Sequence, residues 1–203
     1  MRSWSKVLFM TTLFSILISS SIVTSVPTGV GQEGNEGCMC HTKSSLTTIN
    51  VIGLPEEFEA NQSYQFRLIL ESEIPPSSTT SVGGFRMMVD RGVLYGEENL
   101  TQILDGWLTH TEHGSMVREW NFTWISPEIN TTRTQFTIHA NAVNGNGAPT
   151  GDSWQTNEIV LPGVAYTGSL EPKTIDGLSM NDSILLAAVT TLLVVLFFYS
   201  RKS

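Results

Sequence analysis

The densest chemistry in the chain is the run Cys38-Met39-Cys40-His41, two thiols and an imidazole within four residues. Three readings of it stay open. Thiolates and imidazole are suitable ligands for Cu(I) or Zn. The candidate metal ligands are then Cys38, Cys40 and His41, with Met39 adjoining. His110, His113, Met116 and His139 are the residues that could complete the sphere. The second reading is a c-type haem, attached through C-x-x-C-H with the His as axial ligand. Here one residue separates the cysteines and Thr42, not Gly, follows the His, which shortens the reach between the sulfurs. The third is a Cys38–Cys40 disulfide or two inert thiols. A bridge between residues two apart closes a small strained ring and stabilises little. His110 and His113 also have a plain reading, a histidine that hydrogen-bonds a turn, since a lone His is a poor ligand set, and His139 is the weaker candidate.

Elsewhere the chain offers little for catalysis. It has no G-x-S-x-G, no H-E-x-x-H and no phosphate loop, so no catalytic residue is assigned and an enzyme is not expected. Glu56-Glu57 and Glu97-Glu98 sit beside turn signals and read as solvated surface. Asp105 near Trp107 and Asp152 near Trp154 could touch a sugar, but acidic loop residues are more often turn formers. The 203 residues carry 11 Lys+Arg against 19 Asp+Glu, a net charge of −8. No basic patch is available to neutralise phosphates, so nucleic acid is not an expected partner.

The elements that hold these residues are bounded by two apolar ends. Arg2 and Lys6 precede an apolar run at 7–18, and Val23-Thr24-Ser25 supplies small residues at a cleavage site. This predicts a signal peptide over 1–25. Residues 184–199 carry no charge and are followed by Arg201-Lys202. Taken as 183–200 the run spans roughly 27 Å as a helix, near the lower limit for a bilayer core. Phe197, Phe198 and Tyr199 suit the interface, and the basic tail 201–203 marks the cytoplasmic side. A single-pass transmembrane helix is therefore expected, although a removable sorting tail shares this layout. Five N-x-[ST] sequons, at Asn61, Asn99, Asn121, Asn130 and Asn181, suggest glycosylation where the host has the enzyme.

Between the ends the hydrophobic period is two. Tyr64, Phe66, Leu68 and Leu70 alternate with Gln65, Arg67 and Ile69; Phe85, Met87 and Val89 with Arg86, Met88 and Asp90; Trp120, Phe122 and Trp124 with Asn121, Thr123 and Ile125; and Phe136, Ile138, Ala140 and Ala142 with Gln135, Thr137, His139 and Asn141. Such alternation puts one face on a core and the other in water. Shorter candidates are 46–52, 93–95, 107–110 and 158–161. Turn signals such as Pro75-Pro76, Gly83-Gly84 and Asn144-Gly145-Asn146-Gly147 separate them. Seven or eight strands at this spacing predict an all-β, immunoglobulin-like two-sheet sandwich over 38–162, with Trp120, Trp124 and Phe136 in its core. Residues 26–37 are Gly-rich without periodicity and read as a flexible leader; 163–182 read as a stalk. Two neighbouring cysteines cannot make a disulfide framework, so the core must hold the domain.

The order of landmarks resembles a family. Tyr64 lies in the first long strand and Gly83-Gly84-Phe85 opens the next. Then come Thr109-His110-Thr111, the segment from Trp120-Asn121-Phe122-Thr123-Trp124 to Pro127, and a final Ala- and Asn-containing strand from Phe136. This is similar to the Reeler-like domains, and more closely to the surface domains called choice-of-anchor V, which carry a cysteine–histidine cluster after a Gly-rich leader. The resemblance covers roughly 37–152. It implies a β-sandwich displayed outside the membrane on varied C-terminal anchors, and no established activity.

The expectation is thus a membrane-anchored extracytoplasmic domain of the binding or adhesion type, with a ligand or surface partner the sequence does not name. The alternative is an extracytoplasmic copper, zinc or haem c redox protein using the cysteine–histidine cluster. The two differ in one observable: whether Cys38 and Cys40 fold against the loop carrying His110 and His113.

Overall fold

A computed structural model of the chain describes residues 27–38, 40–77, 80–172, 184, 187–193, 197, 199 and 200. The described residues up to 170 form one compact unit and those from 171 another. In the first unit the strands are β1 (Thr42–Lys43), β2 (Thr47–Ile52), β3 (Ser63–Ser72), β4 (Gly83–Val89) and β5 (Val93–Gly96). Then follow β6 (Thr101–Leu104), β7 (Trp107–His110), β8 (Glu119–Ile125), β9 (Arg133–Ala142) and β10 (Ser153–Pro162). They make a six-stranded sheet, β1-β10-β9-β4-β7-β6, and a four-stranded sheet, β2-β3-β8-β5. The expected two-sheet sandwich is what the chain builds. The strands that escaped the sequence are β1 and β6, which are too short to show a period, and the first half of β10.

The registers explain the core. Phe85 pairs with Ala140, Met87 with Ile138 and Val89 with Phe136, so β4 and β9 turn the same parity inward. On the other sheet Phe66 pairs with Phe122 and Leu68 with Trp120. Trp120, Trp124 and Phe136 are all fully buried, as their size demands. Each indole N–H still finds an acceptor, Trp120 Nε1 on the Gly114 carbonyl at 3.0 Å and Trp124 Nε1 on the Arg91 carbonyl at 3.1 Å. Phe85 meets Trp120 and Phe122, and Phe136 meets Phe66 and Trp124, at centroid distances of 4.9–5.9 Å, which ties the two sheets together through rings.

The second face of the six-stranded sheet departs from simple alternation. Arg86, Thr109, His139 and Asn141 carry the polar parity, yet all four are buried. Water does not cover that face; residues 27–38 do. Residue 163, where the stalk was placed, still bonds to the sandwich: the Gly163 N–H donates to the Thr132 carbonyl at 2.8 Å and Gly163 bridges Phe58. Asn61, Asn99 and Asn121 stand exposed, Asn130 is half-buried, and Asn181 lies outside the described residues.

The expected signal peptide, 1–25, lies outside the described residues. In the second unit, residues 184, 187–193, 197, 199 and 200 are helical, and their side chains are exposed. Among the described residues no helix is long and apolar enough to cross a membrane. The expected span 183–200 is described only in these pieces.

If the inward parity holds the fold, Phe136→Ala should cost about 3–5 kcal/mol, the usual cost of emptying a fully buried aromatic site. Urea unfolding of the domain followed by tryptophan fluorescence measures it. A loss below about 1 kcal/mol would place Phe136 outside the core.

Candidate functional site

The leader reaches the sheet through hydrogen bonds to residues that the sequence pattern had left facing water. The Thr109 hydroxyl accepts from the Val30 N–H at 3.2 Å. The Asp105 carboxylate accepts from the Gln32 N–H at 2.8 Å. Gln102 Nε2 donates to the Thr28 carbonyl. A short 3₁₀ turn at Gln32–Gly34 then brings Asn35 over the centre of the sheet. There Arg86 donates from Nε to Asn35 Oδ1 at 2.9 Å, and from Nη1 to the carbonyls of Val30, Leu104 and Trp107 at 3.1, 2.8 and 3.3 Å. Burial pulls the pKa of Arg86 down from its ordinary value, and the charges of Asp105 and Glu33 oppose that. The guanidinium is thus the peg on which the leader hangs.

Beyond Asn35 the chain passes Trp154. Gly37 has φ +117°, and an added Cβ would fall 2.2 Å from the indole, so only glycine fits here. Trp154 Nε1 donates to the His41 carbonyl at 3.0 Å. Between these two contacts lies a tight turn closed by the His41 N–H on the Cys38 carbonyl at 2.9 Å. Cys38 and Cys40 are both free, Cys38 half-buried and Cys40 exposed. Burial, then the neighbouring Cys40, pushes the Cys38 thiol up to about 12, so it stays protonated.

His41 turns Nδ1 to the buried Asp152 carboxylate, 3.0 Å from Oδ2. Nδ1 makes no hydrogen bond of regular geometry there, and the contact becomes an ion pair only when the imidazole is protonated. Asp152 is itself fixed, its Oδ1 accepting from the Asn144 N–H at 3.0 Å. Burial lowers the pKa of His41, with the Asp152 charge pulling the other way. Asp152 looked like a turn former beside Trp154. Nothing in the sequence between 41 and 152 announces the pairing; it arises because β1 lies parallel to β10 with Thr42 opposite Ser153.

The leader and the sheet enclose a cavity of about 320 Å³, lined by Cys38, Cys40, His41, Phe85, His110 and Asn141 among others. The two thiols and His110 thus share one cavity, which is the arrangement that separates the two functional readings. His110 is anchored there. Its Nδ1 lies 3.1 Å from the Phe85 N–H and 3.1 Å from the Phe85 carbonyl. The amide N–H can only donate, so Nδ1 acts as its acceptor, and the carbonyl accepts from the Thr109 hydroxyl at 2.7 Å. His139 is held at both nitrogens, Nε2 on the Asn35 carbonyl at 3.0 Å and Nδ1 at the Thr156 hydroxyl at 2.9 Å. His113 and Met116 stand exposed on a short 3₁₀ turn and do not line the cavity. Among the described residues no group of three or more His, Cys, Asp and Glu is set to hold a metal ion. Asn141, which sequence reading passed over, is 7% exposed, and its Oδ1 has no hydrogen-bond partner among the described residues. A second, open groove of about 600 Å³ crosses the outer face of the four-stranded sheet beside Arg67, Tyr95 and Asn121.

No family model matches the chain, and no curated protein matches it. Solved structures do. The reeler domain of human F-spondin is 18% identical over 59% of this chain and 91% of that one, with a TM-score of 0.39. A lipoprotein from Bacteroides thetaiotaomicron is 10% identical over 67% and 92%, with a TM-score of 0.39. A conjugative transposon lipoprotein from Bacteroides eggerthii is 12% identical over 57% and 97%, with a TM-score of 0.35. The domain is similar to Reeler domains, the resemblance carried by the order of its landmarks; these names do not include choice-of-anchor. All three scores lie below one half, and the sandwich stands on the pairing of this chain's own strands.

His41 and His139 both have pKa values lowered from 6.5 by burial. The unfolded chain therefore binds more protons than the folded one in the window below 6.5. Stability should fall as pH drops through that window, while ordinary carboxylates near about 4 are still ionised. Thermal midpoints of the domain between about pH 7.5 and pH 5.5 test this. A flat or rising midpoint on acidification would contradict the buried, neutral histidines.

Proposed function

We propose that the chain is an extracytoplasmic binding domain of non-enzymatic type, tethered to the membrane by its C-terminal run, and that it binds in the cavity beneath the leader. The observation that carries this reading is the cavity itself. It is closed by a strap, lined by two thiols and two imidazoles, and contains a buried amide oxygen with no partner among the described residues. Proteins seldom leave a buried acceptor unpaired without a ligand, water or strain to account for it. The volume lies at the small end of ligand pockets, which suits a small ligand or an ion better than a porphyrin macrocycle. That weighs against the haem reading more strongly than the one-residue spacing of the cysteines does.

The tether rests on the apolar run with Arg201-Lys202 after it. Ile184, Val189, Leu192, Leu193 and Phe197 are all exposed, a set of side chains that lipid would cover. The apolar run at 7–18 with its small-residue cleavage site supports export. Cell-surface adhesion through the outer groove of the four-stranded sheet is less well supported. Its residues already pair with one another, Arg67 with Glu119 at 2.7 Å and Asn121 with Glu97 at 3.3 Å.

Expression of the full chain in an exporting host tests the topology. The protein should stay in the membrane pellet after alkaline carbonate, and protease added outside should remove the domain. Deletion of 183–203 should release it in soluble form on the extracytoplasmic side. A domain that resists external protease in intact cells, or a truncated chain found in the cytosol, contradicts the reading.

A further inference from the structure

Beneath the leader, Gly84, Asn141 and Trp154 stand opposite one another across β4, β9 and β10. Directly opposed residues of an antiparallel sheet project to the same face, so Asn141 lies between two rings. On one side is His110, whose ring would come within 2.5 Å of a Cβ added at Gly84. On the other is the Trp154 indole, under Gly37. Asn141 lines the cavity and is 7% exposed, and its Oδ1 has no hydrogen-bond partner among the described residues. Pro27, Val30 and Val143 add apolar lining. The other polar groups there are largely committed. The Ser81 and Ser115 hydroxyls bond each other at 2.8 Å, and Ser115 donates on to the Glu112 carbonyl at 2.7 Å. Glu33 is exposed, and its Oε1 accepts from the Gly31 N–H at 3.1 Å.

We propose that the cavity takes an uncharged, largely apolar small molecule bearing a hydroxyl or amide N–H, and that this group donates its hydrogen bond to Asn141 Oδ1. The inference rests on the cavity reading above and names the class of its occupant. Three features select that class. An orphaned buried acceptor calls for a donor, and a ligand without one leaves Oδ1 desolvated and unpaired. A charged ligand would need a counter-charge inside the cavity, and the carboxylate on the lining, Glu33, is held at the water edge. A sugar, with a hydroxyl on nearly every carbon, would bury more donors than this lining can match. Size then sets the scale. The 320 Å³ here is roughly twice the cavity of about 150 Å³ that takes up benzene, so a ring with a short polar substituent fits.

The test uses the full chain in detergent, labelled with ¹⁵N on glycine and kept reduced. Gly37, Gly83 and Gly84 line the cavity, so their amide resonances report its occupancy. Gly92, beside Ile125 on the other sheet, reports any general effect of the probe on the micelle. Three probes are titrated at matched free concentrations: benzyl alcohol, benzyl methyl ether, which lacks the donor, and benzylamine, which is cationic at neutral pH. Benzyl alcohol should shift the three cavity glycines saturably and leave Gly92 in place. The ether and the amine should each bind at least about 10-fold more weakly. Asn141→Leu, with a far-UV circular dichroism spectrum matching the parent, should weaken the alcohol by a similar factor and erase its advantage over the ether. The comparison of alcohol with ether on the parent needs no variant, so it decides the donor even if Asn141→Leu fails to fold. Ether or amine binding as tightly as the alcohol overturns the proposal and leaves the cavity reading standing. So does a folded Asn141→Leu that holds the alcohol as the parent does. Cavity glycines that move with none of the probes overturn both.

Discussion

One buried guanidinium organises the outer half of this domain. Arg86 sits on the polar parity of β4, where an ordinary two-sheet sandwich would show it to water, and it is fully buried. A charge in that position needs acceptors, and the sheet supplies only the carbonyls of Leu104 and Trp107. The remaining acceptors, Val30 O and Asn35 Oδ1, belong to the leader. Desolvating Arg86 and ordering the leader are therefore one event: neither is favourable without the other. Once the leader is down, Asn35 also satisfies His139, Gly37 lies on Trp154, and the cysteine turn is delivered to the end of the sheet nearest His110.

The site follows from that geometry. The inward face of the six-stranded sheet is committed to the aromatic core, so only its outward face can hold polar chemistry. The leader turns this face into an enclosed one and raises the energetic stake of every polar atom on it. Most of those atoms are matched. His110 takes the place of a ladder partner for Phe85, and Asp152 is divided between the Asn144 amide and His41. Among the described residues Arg86 Nη2, Thr134 Oγ1 and the Asn141 oxygen find no hydrogen-bond partner, and Asn141 lines the cavity together with the two thiols.

The strands with long inward runs were legible because burial of every second side chain writes itself into the sequence. Phe66 and Leu68, Met87 and Val89, Trp120 to Trp124, and Phe136 to Ala142 all sit where their alternation places them. The same signal could not show what covers the other face. Arg86, His139 and Asn141 look like solvated residues in any period-two reading, since polarity alone does not reveal whether the partner is water or chain. The leader was hidden for a related reason. It binds through backbone groups and through Asn35, so it needs no hydrophobic period, and Gly37 serves close approach to Trp154 rather than flexibility alone. The cysteine–histidine cluster was visible as chemistry, but its partner Asp152 lies more than a hundred residues away and is brought close only by the parallel pairing of β1 with β10.

The central claim is that the leader is strapped to the sheet, and amide hydrogen exchange measures that most directly. The Val30 N–H on the Thr109 hydroxyl and the His41 N–H on the Cys38 carbonyl should exchange far more slowly than the same amides in a free peptide. They should lose protection together when Arg86 is replaced by Met. Free-peptide exchange rates across 28–41 in the intact protein would contradict the account.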